Sequence, residues 1–207
     1  VRVAGLDLSI RSTGICLVDT ILTVPIRTCR VESEPAARVD GVKPSLLQRT
    51  ERLASIRARV LQSIGDIPAE SRDIRRLPDL VIVEGPAIGA MSSAHDMSGN
   101  WWLIIDELTN HGVPVVEVSP AQVKQYATGS GSTSGKTKVT KTMVVEAVRT
   151  NYGDVARYIT SNDEADALIL AAIGCRYLGH PIESAPLPAP NLGALKKIRW
   201  PERTLAL

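Results

Sequence analysis

Four acidic residues in this chain stand where carboxylates could be brought to one point: Asp7, Glu84, Asp163 and Asp166. Asp7 follows the apolar run Val3-Ala-Gly-Leu, and Glu84 closes Leu80-Val-Ile-Val. Asp163 and Asp166 are spaced i, i+3, which puts both on one face of a helix. Taken singly, each acid has an ordinary reading as an Asx turn, a strand-end charge or a helix cap. Four carboxylates converging without a cofactor motif would repel one another unless cations held them. Hard oxygen donors of this type select Mg2+ or Mn2+. Two such ions roughly 4 Å apart can activate a water and stabilise the leaving oxygen of a phosphodiester, chemistry that needs no nucleophilic side chain.

The elements that must position these acids can be read from the patterning. Val3–Leu8 and Ile15–Val18 flank a turn-prone segment and read as a hairpin, and Ile21–Val31, with Val24 and Ile26, continues it as a third antiparallel strand. Ser45 and Gln48 stand as a capping box before a helix that runs to about Ile64. Asp79–Glu84, closed by Gly85-Pro86, has the continuous apolar character of a buried strand. A helix over Ala94–Asn110, stopped by Gly112, leads to a strand over Val113–Val118. Ser119-Pro120 starts a short helix. Gly129–Gly135 is a loop, followed by helices over Lys136–Asn151 and Asn162–Leu178. A hairpin first and helices alternating with strands later predict an α/β fold with a mixed sheet. If the strands ending in Asp7 and Glu84 are neighbours, their carboxylates meet at one sheet edge.

The order of these segments resembles that of the RuvC Holliday-junction resolvases. Asp7-Leu-Ser-Ile-Arg-Ser-Thr-Gly14 resembles their opening D-x-S/G-x-x-x-T-G, and Val81-Ile-Val-Glu-Gly85 resembles their second acidic strand. Ser119–Gln125 with Gly129, Gly131 and Lys136 is similar to a family stretch, and Asp163-Glu-Ala-Asp-Ala-Leu168 resembles the closing D-x-x-D-A-L helix. The likeness spans about Val3 to Leu178. It implies an RNase H-like five-stranded sheet flanked by helices, a homodimer, and metal-dependent cleavage of four-way DNA junctions. It further implies two Mg2+ or Mn2+ ions per active site, with Asp7 shared between them and Glu84, Asp163 and Asp166 completing the ligands. Lys124 and Lys136 match family lysines near the scissile phosphate and the DNA backbone. This chain departs from the family after the second acid. Where an aromatic wedge is common, it offers Pro86, Ala87 and Ile88.

Lys124, Lys136, Lys138, Lys141, Arg149 and Arg157 lie between Ala121 and Arg157, opposed only by Glu146 and Asp154. A cationic stretch of that kind suits a polyanion, although a solvated helix face has the same composition; with the resemblance, Lys124, Lys136, Lys138 and Lys141 are the candidate DNA contacts. Trp101, Trp102, Ile105 and Leu108 give the second helix a wide apolar surface, the candidate dimer interface unless the first helix covers it. The 207 residues fit one nuclease domain, 1–179, with a Pro-rich arm, 180–207, that is disordered or partly docked through Leu192, Leu195, Ile198 and Trp200. Hydrophobic residues make up 44% and charged residues 22%, a globular balance with no apolar run of membrane-spanning length and no leader before the first strand. The expectation is a cytoplasmic protein. Cys16, Cys29 and Cys175 are too scattered for a zinc site and read as buried thiols. Other RNase H-like nucleases of flaps, forks or RNA share these acids, and so would a branched-DNA binding module derived from one. The actin-like and sugar-kinase ATPases need a second domain that this length does not allow.

Overall fold

The computed structural model describes residues 1–22, 25–35, 42–65, 77–86 and 94–202. β1 (Arg2–Asp7), β2 (Ser12–Asp19) and β3 (Ile26–Glu32) form an antiparallel meander, to which β4 (Leu80–Glu84) and β5 (Val115–Val118) add in parallel. The order is β3-β2-β1-β4-β5, the mixed five-stranded sheet that the patterning predicts. Val24 lies outside the described residues, and the third strand begins at Ile26 rather than Ile21.

Side-chain alternation gives the sheet two apolar faces. Ala4, Leu6, Ile15, Leu17, Val81 and Val83 pack under α1 (Leu46–Gly65) and α2 (Ala94–Asn110), through Ile56, Val60, Ile64, Trp101, Ile104 and Leu108. Val3, Cys16, Val18, Leu80 and Ile82 face the other way, onto α5 (Asn162–Tyr177). Buried almost throughout, α5 is sandwiched between the sheet and α3 (Pro120–Thr128) with α4 (Lys141–Tyr152), so it is apolar nearly all round.

No side-chain layer separates α5 from β1. A methyl group added at Gly5 would stand 2.1 Å from the Ala167 carbonyl oxygen and 2.4 Å from the Ala171 nitrogen. One added at Gly14 would stand 2.0 Å from the Asp163 carbonyl oxygen. These glycines let the helix lie against the strands' backbones.

The capping boxes form where the sequence places them. Ser45 Oγ accepts from Gln48 N–H (3.2 Å) while Gln48 Oε1 accepts from Ser45 N–H (2.9 Å), and Ser119 and Gln122 repeat the motif at α3. One boundary needs correction: α4 begins at Lys141, not Lys136. Thr140 caps it, and Val139, buried and bonded through its N–H to the Ser132 carbonyl (2.9 Å), closes the glycine-rich loop first. Lys136 and Lys138 therefore sit on that loop.

Residues 180–202 dock against the domain, and their middle turns helical. α6 (Ala189–Leu192) is one helical turn with Pro190 inside its first positions, where a missing N–H leaves no bond unmade. A 3-10 turn, Gly193–Lys197, follows. Cys16 and Cys175 are buried thiols as expected, whereas Cys29 is exposed on the outer strand. No helix among the described residues is long and apolar enough to cross a membrane.

Overpacking a close backbone approach commonly costs about 1–3 kcal/mol or more. Gly5→Ala should therefore destabilise the protein by at least that amount in urea denaturation. A midpoint unchanged from wild type would mean that α5 does not lie on the backbone of β1.

Candidate active site

Strand parity sends the first two acids to the same face. Val3, Gly5 and Asp7 alternate with the residues facing α1, as do Leu80, Ile82 and Glu84, so both acids point toward α5. Leu6 pairs with Val83 in the parallel register, which sets Asp7 beside Glu84 where the strands end. The first turn of α5 then delivers Asp163 and Asp166 to the same edge. All four acids line one cleft of about 470 Å3, together with Ser12, Lys124, Lys141, Pro86, Met97 and Val144.

The α5 terminus leaves these two aspartates free for chemistry. Ser161 is the cap: its Oγ accepts from Glu164 N–H (3.2 Å), and Glu164 Oε2 accepts from the N–H groups of Ser161 (3.0 Å) and Thr160 (2.8 Å). Of the three acids in the run, Glu164 is thus absorbed by the fold, and the Ser161-x-x-Glu164 spacing carried that signal. Ser12, on the α5 side of β2, donates to Asp163 Oδ2 at 2.6 Å. Its turn is held from within by Thr13 Oγ1, which donates to the Ser9 carbonyl (2.8 Å) and accepts from Ser9 N–H (3.1 Å). From α1, Arg52 donates to the Ile10 carbonyl and to the Ser33 carbonyl (2.9 Å). The opening motif contained Ser12 and Thr13 without revealing either contact, and Arg52 has no local signal at all.

Crowding shows in the electrostatics. Burial, then the neighbouring Asp163, raises the Asp7 carboxyl above its ordinary value. Burial, then Asp7 and Asp166, raises Glu84, which shares a hydrogen bond with Asp7. Asp166 is pushed up to about 7 by burial and by Asp7, against the opposing pull of Lys141 and Lys124. Lys124 is half-buried in the cleft rather than on a solvated face, and Lys141 faces the acids although it is exposed. Lys136 and Lys138 are exposed on the loop outside the cleft lining.

Among the described residues no three His, Cys, Asp or Glu side chains already surround one point as metal ligands. Asp7 and Glu84 instead lie within hydrogen-bonding reach of each other. The donor set itself, buried hard oxygens with cationic neighbours, fits Mg2+ or Mn2+ by chemistry.

No protein-family model matches the chain. A crossover junction endodeoxyribonuclease RuvC from Halorhodospira halophila is 30% identical over 193 residues, 93% of this chain and 98% of that protein. The chain belongs to the RuvC family. The RuvC of Gloeobacter violaceus is 31% identical over 116 residues, 56% of this chain and 63% of its own length. The structure of Thermus thermophilus RuvC matches with a TM-score of 0.55 at 23% identity, covering 88% of this chain and 99% of that one. The same protein in complex with a Holliday junction substrate matches with a TM-score of 0.56 at 21% identity, covering 88% and 98%. At those identities the structural matches speak for the fold.

Two expectations change in this RuvC-family chain. Trp101, Ile105 and Leu108 are buried within the monomer, under α1 and against the sheet, so they are not free for an interface. Trp101 Nε1 donates to the Glu84 carbonyl oxygen (3.0 Å), pinning the strand end that carries the acid. Of the four residues expected at an interface only Trp102 is on the surface, 64% exposed beside Leu103. Arg157 pairs with Asp154 (2.9 Å) and is withdrawn from the cationic stretch. Ala87 and Ile88, after the second acid, lie outside the described residues.

An aspartate whose pKa is higher folded than unfolded binds more protons when folded, so its ionisation removes stability as pH rises. For Asp166 the window runs from the ordinary 3.8 up to about 7. Metal-free protein should lose melting temperature relative to Asp166→Asn across that window. Added Mg2+ should raise the wild-type melting temperature more at its upper end than at its lower end. A difference between the two proteins that does not vary with pH would mean that burial and its acidic neighbours do not raise the Asp166 carboxyl.

Proposed function

We propose that the chain is a divalent-metal-dependent endonuclease that cuts phosphodiester bonds in branched DNA, four-way junctions above all. The observation that carries this reading is the convergence of Asp7, Glu84, Asp163 and Asp166 in one cleft that Lys124 and Lys141 also line. What the relatives are named for, crossover junction cleavage, supports it.

Asp7, Glu84, Asp163 and Asp166 would together hold two divalent metal ions. Mg2+ or Mn2+ held by these acids would supply activation of a water and neutralisation of the leaving oxygen. The remaining work falls to the chain. Ser12 holds one Asp163 oxygen, leaving the other free to turn into the cleft. Trp101 and the β1–β4 register hold Asp7 and Glu84 side by side. Lys124, held half-buried on α3, can meet negative charge developing on a phosphate oxygen, where a fixed cation in a partly dry site acts most strongly. Lys136, Lys138 and Lys141 would hold the DNA backbone, and their contacts would make affinity fall as salt rises. The protein would work in the cytoplasm.

A four-way junction must be nicked on two strands of like polarity, and one site cannot do that in a single encounter. A two-fold homodimer places two copies of the cleft on a two-fold substrate through an isologous contact. Trp102 and Leu103 are apolar residues that α2 leaves exposed and that such a contact would cover.

Asp7→Asn should lower cleavage of a synthetic four-way junction by about 10²-fold or more while junction binding survives, and Ca2+ should support binding without cutting because its longer, looser coordination misplaces the water. Near-normal turnover of Asp7→Asn would exclude this centre. Parallel assays on forked DNA, linear DNA and RNA separate a junction resolvase from a flap or RNA nuclease, and binding without any cleavage would identify a binding module.

The dimer is tested by sedimentation. Wild type should sediment as a dimer, and Trp102→Glu as a folded monomer that nicks without resolving. A monomeric wild type that still resolves junctions would refute the dimer, and an unaffected Trp102→Glu dimer would move the interface off α2.

A further inference from the structure

The segment after Gly179 is held in place by contacts more specific than apolar docking requires. The Asn191 side-chain amide is buried and donates to the carbonyls of Tyr126 (2.8 Å) and Ala127 (3.2 Å) near the C-terminal end of α3. Gln125 Nε2 donates to the Pro190 carbonyl (3.0 Å), and Gln122 Nε2, at the N-terminal end of α3, donates to the Ala194 carbonyl (3.2 Å). The segment therefore runs antiparallel along α3 and reaches its cleft end at Ala194. Upstream, Glu183 pairs with Arg176 (2.6 Å) and accepts from the Tyr126 hydroxyl. Downstream, Trp200 stacks on Tyr177, with ring centroids 4.1 Å apart and planes 3° from parallel.

This docking sorts the side chains beyond Ala194. Ala194 and Ile198 are buried, while Lys196, Lys197 and Arg199 are exposed, and none of the three cations forms an ion pair among the described residues. No acid occurs between Ser184 and Pro201. The cations begin two residues after the contact with Gln122, a separation of at most about 7 Å along the chain. Pro120, the first residue of that same end of α3, lines the acidic cleft, and Lys124 lines it one turn further on.

We propose that the docked C-terminal segment is a second nucleic-acid contact surface, in which Lys196, Lys197 and Arg199 grip the sugar-phosphate backbone of the duplex arm leaving the cleft past the N-terminal end of α3. This rests on the nuclease reading and extends it. The partner is a polyanion because the patch offers only charge. Ile198 is buried and Trp200 is already stacked, so among the described residues of the segment no large apolar side chain is exposed to enter a bilayer or a protein groove. For the same reason the contact is with phosphates rather than bases, and it is indifferent to sequence. Fixing three cations on a folded segment also spares the ordering cost that a free tail would meet on binding.

The test is the affinity of the full chain for a fluorescent four-way junction in Ca2+, measured across a series of KCl concentrations. Lys196→Ala/Lys197→Ala should weaken binding roughly tenfold at moderate salt and flatten the log–log salt slope by nearly two units. Its melting temperature should stay at the wild-type value, because both side chains are in solvent. Asn191→Ala, which loosens the docking and keeps every charge, should weaken binding in the same direction. If wild type prefers the junction over linear duplex but the double variant keeps the wild-type slope and affinity, the segment is not a DNA surface. If the double variant weakens binding and Asn191→Ala, with its docking shown by proteolysis to be loosened, does not, docking does not position the charges and the proposal fails. A wild type with no salt-dependent junction binding overturns the nuclease reading itself, a separate result.

Discussion

The direct contact of α5 with the backbones of β1 and β2 is the constraint from which the rest of the cleft follows. Gly5 and Gly14 admit the helix where any side chain would collide with the carbonyls of Ala167 and Asp163. At the far end Gly174 does the same beneath Val3 and Ile82, where a methyl would stand 2.7 and 2.8 Å from their side chains. The approach brings the first turn of α5 against the strand ends that carry Asp7 and Glu84. A helix held off by one ordinary side-chain layer would leave Asp163 and Asp166 too far away to share a site with them.

That closeness creates the electrostatic problem that defines the site. The positive end of a helix ordinarily favours acids in its first turn. Here burial and the carboxylate of Asp7 outweigh it at Asp166, which lies well above the ordinary aspartate range. Lys124 and Lys141 pull in the opposite direction without cancelling the crowding. A region in which burial raises Asp7, Glu84 and Asp166, and whose acidic donors are all oxygen, is predisposed to take up hard cations. The fold spends its other polar contacts on keeping the acids in place: a serine on Asp163, an indole on the Glu84 carbonyl, and an arginine on the turn after Asp7.

The C-terminal segment shows the same division between scaffold and surface. Tyr126, Arg176 and Glu183 form a largely buried hydrogen-bonded triad linking α3, α5 and the start of the segment. Each polar group in it has a partner, which is what makes burying an ion pair tolerable. Prolines at 181, 186, 188, 190 and 201 limit the alternative conformations of the unfolded segment, so less entropy is lost when it docks.

The sequence by itself determined the five strands, the main helices and the four acids, because each rests on local information: apolar alternation, capping spacing, and an acid closing an apolar run. It also carried the family resemblance. The tertiary structure alone decided which residues meet. Ser12 reaches Asp163 across 151 positions of chain, and Arg52 reaches the Ile10 turn across 42, distances at which periodicity says nothing. α4 starts later than its sequence pattern predicts because Val139 is drawn into the core before the helix can begin, a choice made by packing rather than by propensity. The width of the apolar face on α2 was legible, but not what covers it. Trp101, Ile105 and Leu108 look the same in sequence whether α1 or a second subunit lies over them, since burial depends on the neighbour and the pattern records only the face.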